Sequence, residues 1–271
     1  MASIKIDSGN GVFTALSHVN TKSANRKIGD VAQTWIMIQD EQPSRAYVNG
    51  HDLKICFDCP LTSKASGGNG GCYVVVIHGP DGVWKATHGA DVSSVPKINK
   101  VVRFGAYGDP AATDIKVIRR LAKAAKGHIG YTHQWHKRKN LSPFCMASID
   151  PVMASEQGLT SRELKAKAHD RGYRTFRILE SDELPMADEI LCPNETHGIQ
   201  CDTCKLCGGT SRKAKNIAIH AHGVGQRSIT SPAPSFGPKA WPKIVADEAT
   251  AEDIDYDRID ADEYRRRSKS V

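Results

Sequence analysis

Eight cysteines, at positions 56, 59, 72, 145, 192, 201, 204 and 207, fall into a group of three, an isolated residue and a group of four. The densest signal is Cys192-x8-Cys201-x2-Cys204-x2-Cys207, on a stretch carrying Pro193, Gly198, Gly208 and Gly209. Two-residue gaps let neighbouring sulfurs turn toward one point. Four soft thiolates at this spacing suit a single metal centre, either structural zinc or an iron–sulfur cluster. The second group is Cys56-Phe57-Asp58-Cys59-Pro60 and, beyond the span Gly67-Gly68-Asn69-Gly70-Gly71, Cys72. Three cysteines without an adjacent fourth leave two readings open. One is a cluster with an open iron that binds a ligand; the other is zinc completed by His51, His78 or another distant residue. Cys145 sits inside the apolar run Phe144–Ile149 and reads as a buried core thiol.

Gly108-Asp109-Pro110 ends an apolar run and precedes a helical one, where exposed backbone and a carboxylate could meet the polar groups of a small ligand. The same aspartate also suits an ordinary turn, because negative charge is favourable near a helix start. His133, in Tyr131-Thr132-His133-Gln134-Trp135-His136, is a candidate proton donor or ligand and equally a hydrogen-bonded structural group. His220 and His222 alternate along a strand and so face one side. The chain has no Walker phosphate loop, GxGxxG fingerprint, GxSxG elbow or HExxH pair. Those absences remove the commonest kinase, dehydrogenase and hydrolase chemistries.

The elements that must hold these residues follow from periodicity. Residues 1–50 alternate in short runs and predict strands and loops, including 34–38. Val101–Tyr107 reads as a buried strand, Thr113 as the cap of a helix to Lys126, and His128–Thr132 as the next strand. Residues 144–149 form another strand. Thr160-Ser161-Arg162-Glu163 has the capping-box form of a helix to about Arg171, with strands at 173–179 and 216–220 to follow. Strands alternating with helices imply a parallel sheet with right-handed crossovers. The expected fold is α/β, with a partial β/α barrel preferred to an open doubly wound sheet and with ligand-binding loops at the carboxyl ends of strands.

Three regions are expected: an extension over 1–50, a β/α domain with both cysteine groups over 51–225, and a proline-rich linker with a disordered acidic tail over 226–271. The chain has 271 residues, a mean hydropathy of -0.42 and a net charge of +7. Residues 247–271 carry a net charge of −4 and the remainder +11. A basic body can steer toward phosphate-bearing partners such as nucleic acid. Lacking an apolar run long enough for a membrane span, and lacking a secretory leader, the chain is expected to be cytoplasmic with no membrane partner. There, reduced cysteines serve as metal ligands more readily than as disulfides.

Taken in order, Cys-x2-Cys-Pro and Cys72-Tyr73, Arg103–Asp109, Tyr131-Thr132, Ala147–Asp150, the Cys192–Cys207 group and Ile219–Gly223 resemble the phage gene product 88 family over about residues 50–225. That family is similar to the radical S-adenosylmethionine (SAM) superfamily. The resemblance implies a partial β/α barrel holding a 4Fe-4S cluster and, if the protein is an enzyme, SAM and an unknown small-molecule or macromolecular substrate. It would assign Cys56, Cys59 and Cys72 to the SAM-binding cluster, and Cys192, Cys201, Cys204 and Cys207 to an auxiliary one. Gly108, Asp109 and Pro110 would contact the methionine part of SAM, Asp109 through its amino group, and His133 or His222 would position substrate. The first group is spaced Cys-x2-Cys-x12-Cys, where the superfamily has Cys-x3-Cys-x2-Cys. The alternative is a zinc-stapled protein that binds nucleic acid or protein without catalysis.

Overall fold

A computed structural model of the chain describes residues 3–221 except 24, 26 and 181. The linker and tail at 226–271, and His222, lie outside the described residues. The chain opens with β1 (Ser3–Gly9) and β2 (Val12–Ser17), then β3 (Val31–Ile38), α1 (Pro43–Asn49), α2 (Leu53–Cys56) and α3 (Gly79–Thr87). There follow β4 (Ile98–Tyr107), α4 (Ile115–Ala124), β5 (Ala125–Thr132), β6 (Met146–Ile149), α5 (Pro151–Glu156), α6 (Ser161–Asp170) and β7 (Thr175–Leu179). The last elements are β8 (Glu189–Leu191), α7 (Pro193–His197), α8 (Cys201–Cys204) and β9 (Asn216–His220).

All nine strands join one sheet in the order β1-β2-β3-β4-β5-β6-β7-β9-β8, open at both edges. β1 and β2 pair antiparallel with their neighbours, and every pairing from β3 onward is parallel. The stretch read from sequence as an amino-terminal extension thus supplies the first three strands. Among the described residues no helix is long and apolar enough to cross a membrane.

A parallel sheet must be covered on both faces. One face carries Val102, Phe104, Ala147 and Ile149 against α4, α5 and α6. α4 offers the stripe Val117, Ile118 and Leu121 for this. Its cap is Asp114, whose carboxylate accepts from Lys116 N; Thr113, the cap expected from sequence, instead hydrogen-bonds Thr14 through its side chain. Residues 110–112, read as the approach to this helix, form a separate 3-10 turn because Asp109 caps it. α6 opens with the expected capping box of Thr160 and Glu163. Cys145 is fully buried in this core.

Near the far edge, Arg177 of β7 and Glu189 of β8, both with fully buried side chains, form a two-pronged ion pair, Nη2 to Oε2 at 2.7 Å and Nε to Oε1 at 2.9 Å. Lys165 of α6 reaches Glu189 at 2.9 Å and Asp188 at 2.6 Å. This network fixes the short β8, and with it the entry to Cys192. Burial opposes the charge of Glu189, but Arg177, the Met186 N–H and Lys165 outweigh it and hold the carboxyl below the usual glutamate range. The pair therefore stabilises the fold at neutral pH, and its contribution fades as the pH falls below about 4.3, the usual glutamate value, toward the lowered folded one. Glu189→Ala leaves a buried guanidinium without this partner and is expected to cost about 3–5 kcal/mol at neutral pH. In urea unfolding, the gap between variant and parent should narrow as the pH is lowered through that range.

Candidate metal and ligand site

The inner face of the sheet is not covered by α4–α6. Arg103, Gly105 and Tyr107 of β4, Ile129 and Tyr131 of β5, Ser148 of β6, Phe176 and Ile178 of β7 and Ile219 of β9 line one cavity of about 270 Å³. Strand alternation puts these residues on the face opposite the helix-packed Val102 and Phe104. Cys56, Cys59 and Cys72 also line the cavity, as do Cys192 and Cys201, so both cysteine groups meet the same space.

The first group is assembled by loop hydrogen bonds. Asp52, buried ahead of α2, accepts from Ser63 N and Ser63 Oγ, each at 3.0 Å, and so closes the loop that carries Cys56 and Cys59. The glycine-rich span then folds back. Asn69 N donates to Pro60 O, Gly70 N to Thr62 O and Cys72 N to Leu61 O, each at 2.9 Å. The twelve residues that separate Cys59 from Cys72 in sequence therefore form a doubled-back loop that returns Cys72 beside the first two. The backbone amides of Asp109, Leu61 and Val74 favour the charged forms of Cys56, Cys59 and Cys72 respectively. Burial pushes all three thiols above their ordinary value, while these amides pull toward the thiolate.

Asp58, between Cys56 and Cys59, ties the same loop to the end of β5. It contacts Gln134 Nε2 and lies 2.7 Å from Lys137 Nζ and 3.3 Å from His136 Nε2. Burial works against its charge, but His136 and Lys137 prevail and hold the carboxyl well below the usual range. Phe57, within the same Cys-x2-Cys turn, has φ 53° and ψ −129°, a backbone region costly to residues other than glycine.

Cys192, Cys201, Cys204 and Cys207 surround a small hollow of about 20 Å³ with Ile129, Tyr131 and Ile217. Their loop seals the amino-terminal end of the sheet. Gly130 N of β5 donates to Cys207 O at 3.1 Å, and Arg174, just ahead of β7, donates to Leu206 O at 2.8 Å. Asp202 clips the segment that enters β3, accepting from Asp30 N at 2.8 Å. Lys205 turns the chain between Cys204 and Cys207 in the left-handed region, φ 56°. Burial and the neighbouring thiols push Cys201 up to about 11; Cys207 reaches about 12 despite a hydrogen bond with Tyr131.

All eight cysteines are free thiols. Among the described residues, no set of three or more His, Cys, Asp or Glu side chains is already arranged to hold a metal ion. Of the two histidines weighed as a fourth zinc ligand, His51 has Nδ1 2.7 Å from Glu41, and His78 precedes α3.

Gly108 and Asp109 border the cavity, and Pro110 is buried behind them. Gly108 has φ +74°, and a Cβ there would sit 2.6 Å from Ile36 O, so this turn requires glycine. Gly105, φ +68°, allows a bulge in β4 opposite Thr34, whose hydroxyl accepts from Gly105 N and donates to Arg103 O. Asp109 accepts from Ala111 N at 2.9 Å, Thr132 Oγ1 at 2.7 Å and His133 N at 2.8 Å. Its carboxylate thus joins the ends of β4 and β5, and its own N–H donates to Ile55 O beside Cys56. Burial raises its carboxyl above the ordinary value against these bonds.

His133 borders the cavity with Nε2 3.2 Å from Asp150 Oδ2, a charge contact not aligned as a hydrogen bond. Asp150, fully buried, also caps α5 by accepting from Met153 N at 2.8 Å. His220 lies against Glu195. Sequence reading placed Asp150 at the carboxyl end of a strand, where functional groups are expected, but did not single out Asp58, or Arg103, Tyr73 and Tyr131, as cavity groups. The only available signal for the last three was strand alternation and adjacency to Cys72.

The chain matches no protein-family model, no curated protein and no solved structure. What fold and site define together is a mixed α/β protein whose open sheet encloses a cavity bordered by two groups of thiols.

Burial disfavours the His133 cation, but Asp150, Asp109 and Asp58 overcome it and raise the imidazole above its ordinary value. Its contribution to stability is full below about 6.5, the unfolded value, and is lost as the pH rises through the folded one. Asp150→Asn is expected to lower the His133 value, as read by imidazole proton shifts against pH. A titration unchanged by that substitution would contradict the assignment.

Proposed function

We propose that the chain is an iron–sulfur protein built on a partial β/α barrel of the radical-SAM kind. The observation that carries this reading is that both cysteine groups border a single cavity. The order of parts supports the barrel. Six strands, β3, β4, β5, β6, β7 and β9, run parallel in sequence order, the three-cysteine loop follows the first, and Gly108-Asp109-Pro110 follows the second.

Cys56, Cys59 and Cys72 would hold a cluster with one iron open to SAM, and Cys192, Cys201, Cys204 and Cys207 would hold a second. Neutral thiols have no reason to sit at coordination distance; a metal that displaces their protons supplies the attraction that draws the set together. Reductive cleavage of SAM is the chemistry such a cluster supplies when both are bound. The chain's own part is binding and orientation. Gly108 keeps the backbone close to the cavity without a side chain. Asp109 positions this edge, because both of its oxygens already accept protein hydrogen bonds; His133, with Nε2 3.2 Å from Asp150, would orient an acidic or carbonyl group of substrate.

One observation favours zinc at the second group. Its loop clips the entry to β3 through Asp202 and seals the sheet end, as a structural staple would. Anaerobic purification with iron, acid-labile sulfide and zinc assays on one sample decides between them. Iron with matching sulfide is expected, with Cys59→Ala removing one part of the visible absorbance and Cys204→Ala the other. Zinc without sulfide at both groups would overturn the iron–sulfur reading and direct attention to salt-dependent nucleic-acid binding by the basic body.

A further inference from the structure

Arg103 stands on the inner face of β4, only 7% exposed, and borders the cavity between the two cysteine groups. Its Nη2 donates to Tyr73 Oη at 2.5 Å. Among the described residues no carboxylate lies within ion-pair distance of this guanidinium. The contrast with Arg177 is instructive, since that buried guanidinium has Glu189 and Glu183. Burying a cation without an anion is costly, and the polar groups beside Arg103 are the hydroxyls of Tyr73 and Tyr131 and the thiol of Cys201.

The two carboxylates that border the cavity do not fill the gap. Asp52 is held by Ser63, and Asp109 by Ala111, Thr132 and His133. Much of the cavity wall is apolar and aromatic. Val74, Ile129, Ile178 and Ile219 line it, and Tyr131 and Phe176 pack with ring centroids 4.3 Å apart. At about 270 Å³ the space is just below the ~300–1,000 Å³ of ordinary small-molecule sites.

We propose that Arg103 and Tyr73 form a subsite for the carboxylate of a small acid whose apolar or aromatic body lies along Tyr131 and Phe176. The planar fork of the guanidinium matches the two oxygens of a carboxylate. The subsite rests on the cavity and on Arg103, and stands whether the cysteine groups hold iron or zinc. The competing account is that a metal–thiolate centre at Cys192–Cys207, itself anionic, is the counter-charge of Arg103 and no ligand acid is needed.

The test uses the full chain as purified, with its metal content recorded, and the probes 3-phenylpropanoate, its neutral amide 3-phenylpropanamide, and inorganic phosphate. Calorimetric titration and thermal unfolding are read together. Saturable binding of the acid is expected, with the amide weaker by about tenfold or more, the effect of losing one charge-assisted contact. Arg103→Gln should abolish the preference for acid over amide, and Arg103→Lys should retain part of it. The acid–amide comparison on the unaltered chain keeps the proposal testable if Arg103→Gln fails to fold. Equal affinity for acid and amide, binding of phosphate alone, or no binding of any probe would overturn it. So would unchanged acid binding by Arg103→Gln with normal metal content. Because metal is quantified in the same samples, failure of the subsite is distinguishable from failure of the iron–sulfur assignment.

Discussion

A largely parallel sheet exposes two apolar faces, and the fold is arranged around the need to cover both. Helices α4, α5 and α6 cover one with aliphatic side chains, which is the ordinary solution. On the other face α1, α2 and α3 cover β2 and β3, but beyond them the cover is made of loops, and loops bring backbone groups and polar side chains that must find partners. Asp52 serves that need in the three-cysteine loop, Asp58 and Asp109 where the loop meets the ends of β4 and β5, and Asp202 where the four-cysteine loop meets β3. The remaining space, walled by strands and capped by these loops, is the cavity. Its position therefore follows from how the inner face is covered.

The same accounting separates structural charges from functional ones. Glu189 and Arg177 satisfy each other and fasten β8, so their burial needs no ligand to explain it. Asp58 is satisfied by Gln134, His136 and Lys137 and fixes the Cys56–Cys59 turn. Asp109 is the intermediate case, because it borders the cavity yet accepts three hydrogen bonds from the protein. It holds the Gly108 turn in place, and with it the backbone at that edge of the cavity. Arg103 alone among these groups faces the cavity without an anion supplied by the described residues.

Much of the outer layer was legible in the sequence because it depends on local rules. The stripe Val117, Ile118, Leu121 and the Thr160–Glu163 capping box announce α4 and α6 from residues within one or two turns of each other. The helix start at α4 was read one residue early because Thr113 and Asp114 are both competent caps, and the tertiary contact of Thr113 with Thr14 decides between them. α5 and β8 are short, six and three residues, and carry too little periodicity to stand out. The inner face was hidden for a different reason. Arg103, Gly105 and Tyr107 alternate with Val102, Phe104 and Ala106 in a run buried except at Gly105, so the pattern does not say which set meets helices and which meets a cavity. The proximity of Cys72 to Cys59 likewise depends on the folded-back glycine span, which spacing alone cannot convey.

The thiols themselves show how such a site can be shaped before it is charged. Burial raises each of Cys56, Cys59 and Cys72, which favours the neutral form in the absence of a cation. The nearby backbone amides of Asp109, Leu61 and Val74 nevertheless favour the thiolate forms. The turn that presents Cys56 and Cys59 also holds Phe57 in a costly conformation, kept there by the surrounding contacts of Asp52 and Asp58. Scaffold and sulfurs thus pull in different directions; were a cation bound, loss of the thiol protons and the imposed turn would become mutually consistent. Metal binding at such a site is coupled to proton release, so its affinity rises with pH while the shape of the loop stays the same.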